Sequence, residues 1–258
     1  MPVRLEPAEF NLLWARLGLP AKPLELNVPA QGATLTEAVR LSARATDALR
    51  GRDLLTGDEP AARVASLLNV VARPAAQVDV RWSRGVDVPE LRGLVALRGK
   101  NGVLALWDGQ QVRLRRVKHD VFVEELVAVL DEMPAGTGRS VTAPTEVILR
   151  ASRESSGDAE RFQRKLVAGG VSRDEARAWR DISGAHRFRA GQIGASGFDQ
   201  WGKPTRAPWV IHVFDTDRGR YATYERRSYR TVVGVNTSWL VTVVRELYTD
   251  AVRDRRNR

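Results

Sequence analysis

Period-two alternation of apolar and polar residues occurs in two separate stretches of this chain, and each stretch ends in a single amphipathic helix. In the first stretch Val78, Val80 and Trp82 alternate with Asp79 and Arg81, the pattern of a strand with two unlike faces. Residues 91–97 and 103–107 are further strands. Asp108-Gly109 is a hairpin turn, because both residue types tolerate the positive φ that a tight turn needs. Val112 and Leu114 alternate on the returning strand, and Asp120 is expected to cap a helix carrying Phe122, Leu126, Val129 and Leu130. The second stretch runs through residues 186–195, 209–214, 220–224 and 229–233. Thr237-Ser238 is expected to cap the closing helix, which carries Trp239, Leu240, Val243, Val244 and Leu247.

Helical segments precede each stretch. Pro7 suits a first helical position, and Phe10, Leu13, Trp14 and Leu17 share one face before Gly18 and Pro20 stop the helix. Residues 24–28 read as a short extended piece. Thr34 and Glu37 have capping-box spacing, and Leu35, Ala38, Leu41, Ala45 and Leu49 continue as a stripe up to Gly51. A third helix is expected over 58–72. In the second half, helices are expected over 144–152, 158–168 and from Ser172, whose Glu175 makes a second capping box. The order therefore repeats: helices, a four-stranded antiparallel meander, one closing helix. The expected fold is α+β, with two pseudo-twofold-related halves forming one body. The halves are 1–133 and 144–258, joined by a Pro/Gly/Ser-containing linker at 134–143. Two such halves can join edge strands or pack their sheets face to face.

The composition narrows function by exclusion. The chain has 258 residues and no cysteine, which removes disulfides, thiolate metal sites and cysteine nucleophiles. No apolar run approaches the roughly 20 residues of a membrane span, and the opening residues 1–6 lack the apolar core of a signal peptide. A cytoplasmic protein without membrane insertion is expected. The formal net charge is +10, which raises nucleic acid as an alternative partner. Against this, the basic residues are mostly arginines scattered through the chain. The one dense run, Arg253 to Arg258, reads as a solvated, frayed tail.

Catalytic and metal motifs are missing. His119, His186 and His212 do not form the paired spacing that puts two ligands on one helical face. No phosphate-cradling glycine loop is present. Gly194-Ala195-Ser196-Gly197 lacks nucleophile-elbow spacing and reads as a flexible strand end. Asp215-Thr216-Asp217-Arg218-Gly219 opens like a calcium loop, but glycine stands at position five and Arg226 at position twelve, so a hairpin turn fits instead. Glu124-Glu125 and Asp131-Glu132 read as solvated helix positions. Neither enzyme activity, a cofactor nor a metal is expected. Among the seven tryptophans, Trp14, Trp179 and Trp239 read as core. Trp82 sits at a strand end beside Val86 and Val88, and Trp201 lies in a polar loop near Phe198. A large aromatic in such a loop either anchors a partner, since interfaces are enriched in them, or folds back over the core.

Several stretches together resemble one known family. Leu5-Glu-Pro-Ala-Glu9-Phe10-Asn-Leu-Leu13-Trp14-Ala-Arg-Leu17-Gly18-Leu19, residues 191–196 with Trp201-Gly202-Lys203, and residues 214–221 are similar, in that order, to the EspG family of actinobacterial type VII (ESX) secretion chaperones. The resemblance implies a cytosolic, non-enzymatic chaperone with pseudo-twofold α+β halves. It would bind the apolar tip of a helical client, the PPE member of a PE–PPE pair or an analogous secretion substrate, and hand it to the secretion machinery. The family's contacts involve the central sheet, the loop between its second and third strands, and the C-terminal helical part. That loop corresponds here to residues 82–89, with Trp82, Val86 and Val88 as candidate contacts. Phe198 and Trp201 are candidates from aromatic exposure alone.

Overall fold

A computed structural model describes residues 2–256. Its helices and strands are, in chain order, β1 (Val3–Leu5), α1 (Pro7–Arg16), α2 (Leu35–Arg50), β2 (Leu55–Thr56), β3 (Glu59–Pro60), α3 (Ala62–Ala72), β4 (Ala76–Ser83), β5 (Leu91–Arg98), β6 (Asn101–Trp107), β7 (Val112–Val117), α4 (Phe122–Val127), β8 (Val141–Pro144), α5 (Thr145–Ser155), α6 (Ala159–Ala168), α7 (Arg173–Ser183), β9 (Arg187–Phe198), β10 (Pro204–Arg206), β11 (Ile211–Thr216), β12 (Gly219–Arg226), β13 (Tyr229–Gly234) and α8 (Thr237–Arg256). Among the described residues, eleven strands form one sheet in the order β1-β7-β6-β5-β4-β9-β11-β12-β13-β8, with β10 paired to the end of β9. The two meanders join edge to edge through antiparallel pairing of β4 with β9.

Strand alternation assigns each side of the sheet its cover. On one face Val78, Val80, Trp82, Val95, Leu104, Ile193, Ile211, Val213 and Ala222 form a single apolar cluster under α4 and α8. On the other face there are two separate clusters. Leu94, Ala96, Val103, Ala105 and Leu114 pack under α1, α3 and the end of α2. Phe214, Tyr221 and Val232 pack under α5, α6 and α7.

Several local expectations are corrected. Residues 24–26 form a 3₁₀ turn where an extended piece was expected. The helix expected from residue 58 begins at Ala62, because Gly57 adopts φ +62° and closes the β2–β3 hairpin first. On α2 only Ala45 and Leu49 are buried, and Leu35 is 83% exposed, so the stripe is covered in its second half alone. The N-cap of α4 is Val121, without a side-chain bond, so burial of Phe122, Val123 and Leu126 holds that helix in place of an Asp120 cap. At α8 the Asn236 side chain accepts from the Trp239 amide at 2.9 Å, taking the role expected of Thr237-Ser238. The Arg253-to-Arg258 run is helical as far as Arg256, and Asn257 and Arg258 lie outside the described residues. Part of the 134–143 segment is strand β8, and the rest is stitched to the sheet. The Pro134 carbonyl accepts from the Arg220 amide (2.8 Å), Gly136 donates to the Arg220 carbonyl (2.7 Å), and the Tyr221 hydroxyl donates to Thr137 (2.7 Å).

The β11–β12 turn that opens like a calcium loop is a hairpin with Gly219 at φ +111°. Asp215 is fully buried, and its oxygens meet Arg220 at 2.7 and 3.0 Å and Arg189 at 2.9 Å. Arg220, also buried, donates to the Leu130 carbonyl at 3.0 Å and lies over the Trp82 ring. Guanidinium groups thus occupy the carboxylate, and one buried pair ties the β11–β12 hairpin to Leu130, just beyond α4. Removing one partner of a buried pair strands the other charge and costs about 3–5 kcal/mol. Arg220→Met is therefore expected to lower the urea midpoint sharply with m unchanged; a loss below about 1 kcal/mol would show that Arg189 alone neutralises Asp215.

Candidate functional site

Between the two helical layers on the doubly covered face, the central strands carry polar residues that belong to none of the apolar clusters. The register puts five of them in one cross-strand row: Arg92 on β5, Arg81 on β4, Gln192 on β9, His212 on β11 and Thr223 on β12. All five are half-buried or exposed. Beyond the row lie Trp107 of one layer and Val232 of the other. The row spans four strand spacings, roughly 19 Å, and forms the floor of a valley.

Two grooves flank the central strands, and the first reaches the floor at Thr223. One, of about 470 Å³, runs beneath α5, α6 and α7 and is lined by Leu149, Phe162, Trp179, Arg187, Phe214 and Arg230. The other, of about 890 Å³, lies between Leu24 and Glu25, the end of α3 at Ala72 and Arg73, and the β9–β10 hairpin with Phe198 and Trp201. At the edge of this second groove, Arg206 of β10 makes a bidentate pair with the buried Asp79 of β4, at 2.8 and 2.9 Å. Gly194 makes this possible, because a Cβ there would overlap the Arg206 guanidinium. Residues 194–197 are thus a buried stretch of β9, paired with β4 throughout and with β10 at Ser196 and Gly197, and the flexible-end expectation is corrected. The hydrogen bonds to Asp79 hold the Arg206 pKa above its ordinary value. Burial, and then the Asp79 charge, push the Glu25 carboxyl upward.

The residues singled out in the sequence fall at different places. Trp82 is fully buried against the α4–α8 layer, so its side chain offers no surface to a partner. Its strand-end position was legible in the sequence, but the face to which it points was not. Val86 is 100% exposed and Val88 is 43% exposed, both in the β4–β5 loop. Trp201 is 84% exposed at the β9–β10 turn, and Phe198 is half-buried beside it. The pairs Ala76–Gly197 and Ser83–Ala190 mark the two ends of the β4–β9 ladder. Seven residue steps of about 3.3 Å therefore separate the loop end from the hairpin end, roughly 23 Å. The structure does not bring the two groups together; they stand at opposite ends of the central strands. The valley floor itself was missed. Its signal was the polar phase of the alternation itself: Arg81, Gln192 and His212 each stand between apolar or small residues on their strands, and which polar positions align across strands is set by the register.

This fold, a single antiparallel sheet with helices on both faces, is similar to that of a solved secretion chaperone. The structure of the Mycobacterium tuberculosis type VII secretion system chaperone EspG5, in complex with a PE25-PPE41 dimer, superposes with a TM-score of 0.76 at 17% identity. The match covers 96% of this chain and 95% of that one. A search of curated proteins finds no match. The EspG family model matches residues 6–246, and the chain belongs to the EspG family.

Two measurements check the geometry. Trp82→Ala should cost about 3–5 kcal/mol as a large buried ring is lost, while Trp201→Ala should stay within about 0.5 kcal/mol; equal costs in chemical denaturation would contradict these placements. The second concerns His212, whose pKa is lowered by burial and by the charges of Arg230 and Arg187. The unfolded chain therefore takes up this proton at higher pH than the folded one. This residue's contribution to stability should fall as pH drops through about 6.5 and level off below the folded pKa. Subtracting the His212→Gln stability–pH curve from that of the parent protein should isolate that slope; a flat difference would refute it.

Proposed function

We propose that this protein is a cytoplasmic, non-enzymatic chaperone of type VII secretion that holds the apolar tip of a PPE-like helical client, keeping a PE–PPE pair soluble until the secretion machinery takes it. The observation that carries this reading is the family match over nearly the whole chain, joined to an open valley between two helical layers. The physical logic concerns aggregation. An exposed apolar helical tip associates with copies of itself, and a concave surface with apolar walls and a polar floor covers it reversibly. The 470 Å³ groove, lined by Leu149, Phe162 and Trp179, is suited to apolar side chains from such a tip. Val86 and Val88 in the β4–β5 loop would contact the client at one end of the central strands, and Phe198 and Trp201 at the other. The absence of a helix long and apolar enough to cross a membrane, among the described residues, is compatible with cytoplasmic residence. We further propose that 1–133 and 144–258 are pseudo-twofold-related halves joined by 134–143, so that the valley lies along their shared seam.

The test is co-expression with each PE–PPE pair of the same genome, followed by purification through a tag on this chain at moderate and at high salt. The expected outcome is one pair recovered stoichiometrically at both salt concentrations, and aggregated when expressed without the chaperone. Recovery of no pair would overturn the reading. Recovery of nucleic acid alone, lost at high salt, would assign the net charge to counterion release on a phosphate backbone instead.

A further inference from the structure

The charges facing the valley are unequally matched. Arg92 and Arg81 share one carboxylate, Glu90, at 2.7 and 3.7 Å. Arg230 is paired with Glu225 at 3.1 Å, and Arg180 is held by Asp181 and Gln163. Asp158, the carboxylate among the groove-lining residues, already accepts from the Arg161 amide at the start of α6. Arg187 is different. Its guanidinium lies over the Phe214 ring, 4.1 Å from the centroid, and makes no ion pair among the described residues. Burial pushes its pKa down. His212 lies under the influence of Arg187 and Arg230, with Gln192 and Thr223 as its cross-strand neighbours. Arg187 itself is exposed, so its guanidinium, held over Phe214 and without a counter-ion among the described residues, is free to donate charge-assisted hydrogen bonds to a carboxylate brought beside it.

We propose that the client's helical tip carries an acidic residue beside its apolar ones. Its carboxylate would seat against Arg187 and His212, while the apolar side chains enter the groove beneath α5, α6 and α7. This rests on the chaperone reading and adds the chemistry by which a client is chosen. The stacking of Arg187 on Phe214 fixes the guanidinium plane at the mouth of the groove, so carboxylate and apolar anchor would be recognised as one unit. A client with an amide in place of the acid would leave the cation unmatched, and specificity would arise from that difference.

The probes are two synthetic helical-hairpin peptides with Leu and Phe on the apolar face, identical except for Glu or Gln at the turn. Calorimetric titration should show the Glu peptide binding at least about tenfold more tightly, equivalent to about 1.4 kcal/mol. The Arg187→Gln/His212→Gln variant, checked for native circular dichroism, should bind both peptides alike, and Arg187→Lys should retain the preference. Ring-proton spectra of the three histidines give an independent readout: the Glu peptide, unlike the Gln peptide, should raise the His212 titration midpoint, since a nearby carboxylate favours imidazolium. Equal affinities, no binding of either peptide, or a preference surviving in the double variant would overturn the proposal. Capture of a PE–PPE pair without any carboxylate preference would leave the chaperone reading standing, whereas failure to capture a pair is the result that removes that reading.

Discussion

The antiparallel pairing of β4 with β9 is the contact on which the rest of the molecule depends. Eight residue pairs, from Ala76–Gly197 to Ser83–Ala190, turn two meanders into one sheet. The pairing hides two edge strands that would otherwise template association with other chains. It also makes one continuous apolar face out of two smaller ones: Val78 and Val80 of β4 join Ile193 and Ala195 of β9 in the cluster that α4 and α8 cover together. On the opposite face the same pairing holds the two helical layers apart, leaving the central strands open between them. Core and valley are thus two sides of one ladder.

Holding that ladder open on one face requires polar side chains to be satisfied without a helix above them. Gly194 supplies the space, Asp79 the charge and Arg206 the matching donors, which also anchor the β10 hairpin bearing Trp201. A similar device works at the far end of the sheet. There the buried Asp215–Arg220 pair fixes the β11–β12 hairpin against Leu130, just beyond α4, and the Arg220 backbone holds Pro134 and Gly136. Both pairs are costly to break and contribute less to net stability than their short distances suggest, because each was desolvated first. What they supply is position. Arg220 and Arg206 are used in this way, one buried and one at the groove edge.

Local chemistry made a large part of this legible in the sequence. Pro7, Thr34 and Ser172 open helices where their capping and φ preferences demand, and the side chains of Thr34 and Ser172 accept the expected amide bonds, as does Asp158 at the start of α6. The meander strands followed from alternation because their two faces meet different surroundings. Expectations failed where a neighbour distant in sequence overrode the local signal. Asp120 and Thr237 looked like caps, yet burial of Phe122 and the reach of Asn236 set those helix starts. Nor did the local composition of residues 134–143 show that Pro134 and Gly136 bond to the backbone of Arg220. The candidate contacts divided along the same line. Exposure of Val86, Val88 and Trp201 followed from polar loop sequence, whereas the inward direction of Trp82 did not, since a residue at a strand end points inward or outward according to the register of its partners.

The sequence by itself determined most of the element types, the absence of cysteine chemistry and the presence of loops carrying exposed apolar side chains. These follow from propensity, periodicity and composition, which act within a few residues. Only the tertiary structure decided that the meanders join edge to edge, that Arg92, Arg81, Gln192, His212 and Thr223 align in one row, and that Arg187 rests on Phe214 without a counter-ion among the described residues. The reason is one of range. Register across a sheet is set by contacts between residues as far apart as Arg81 and Gln192, and charge matching depends on which side chains that register brings into reach.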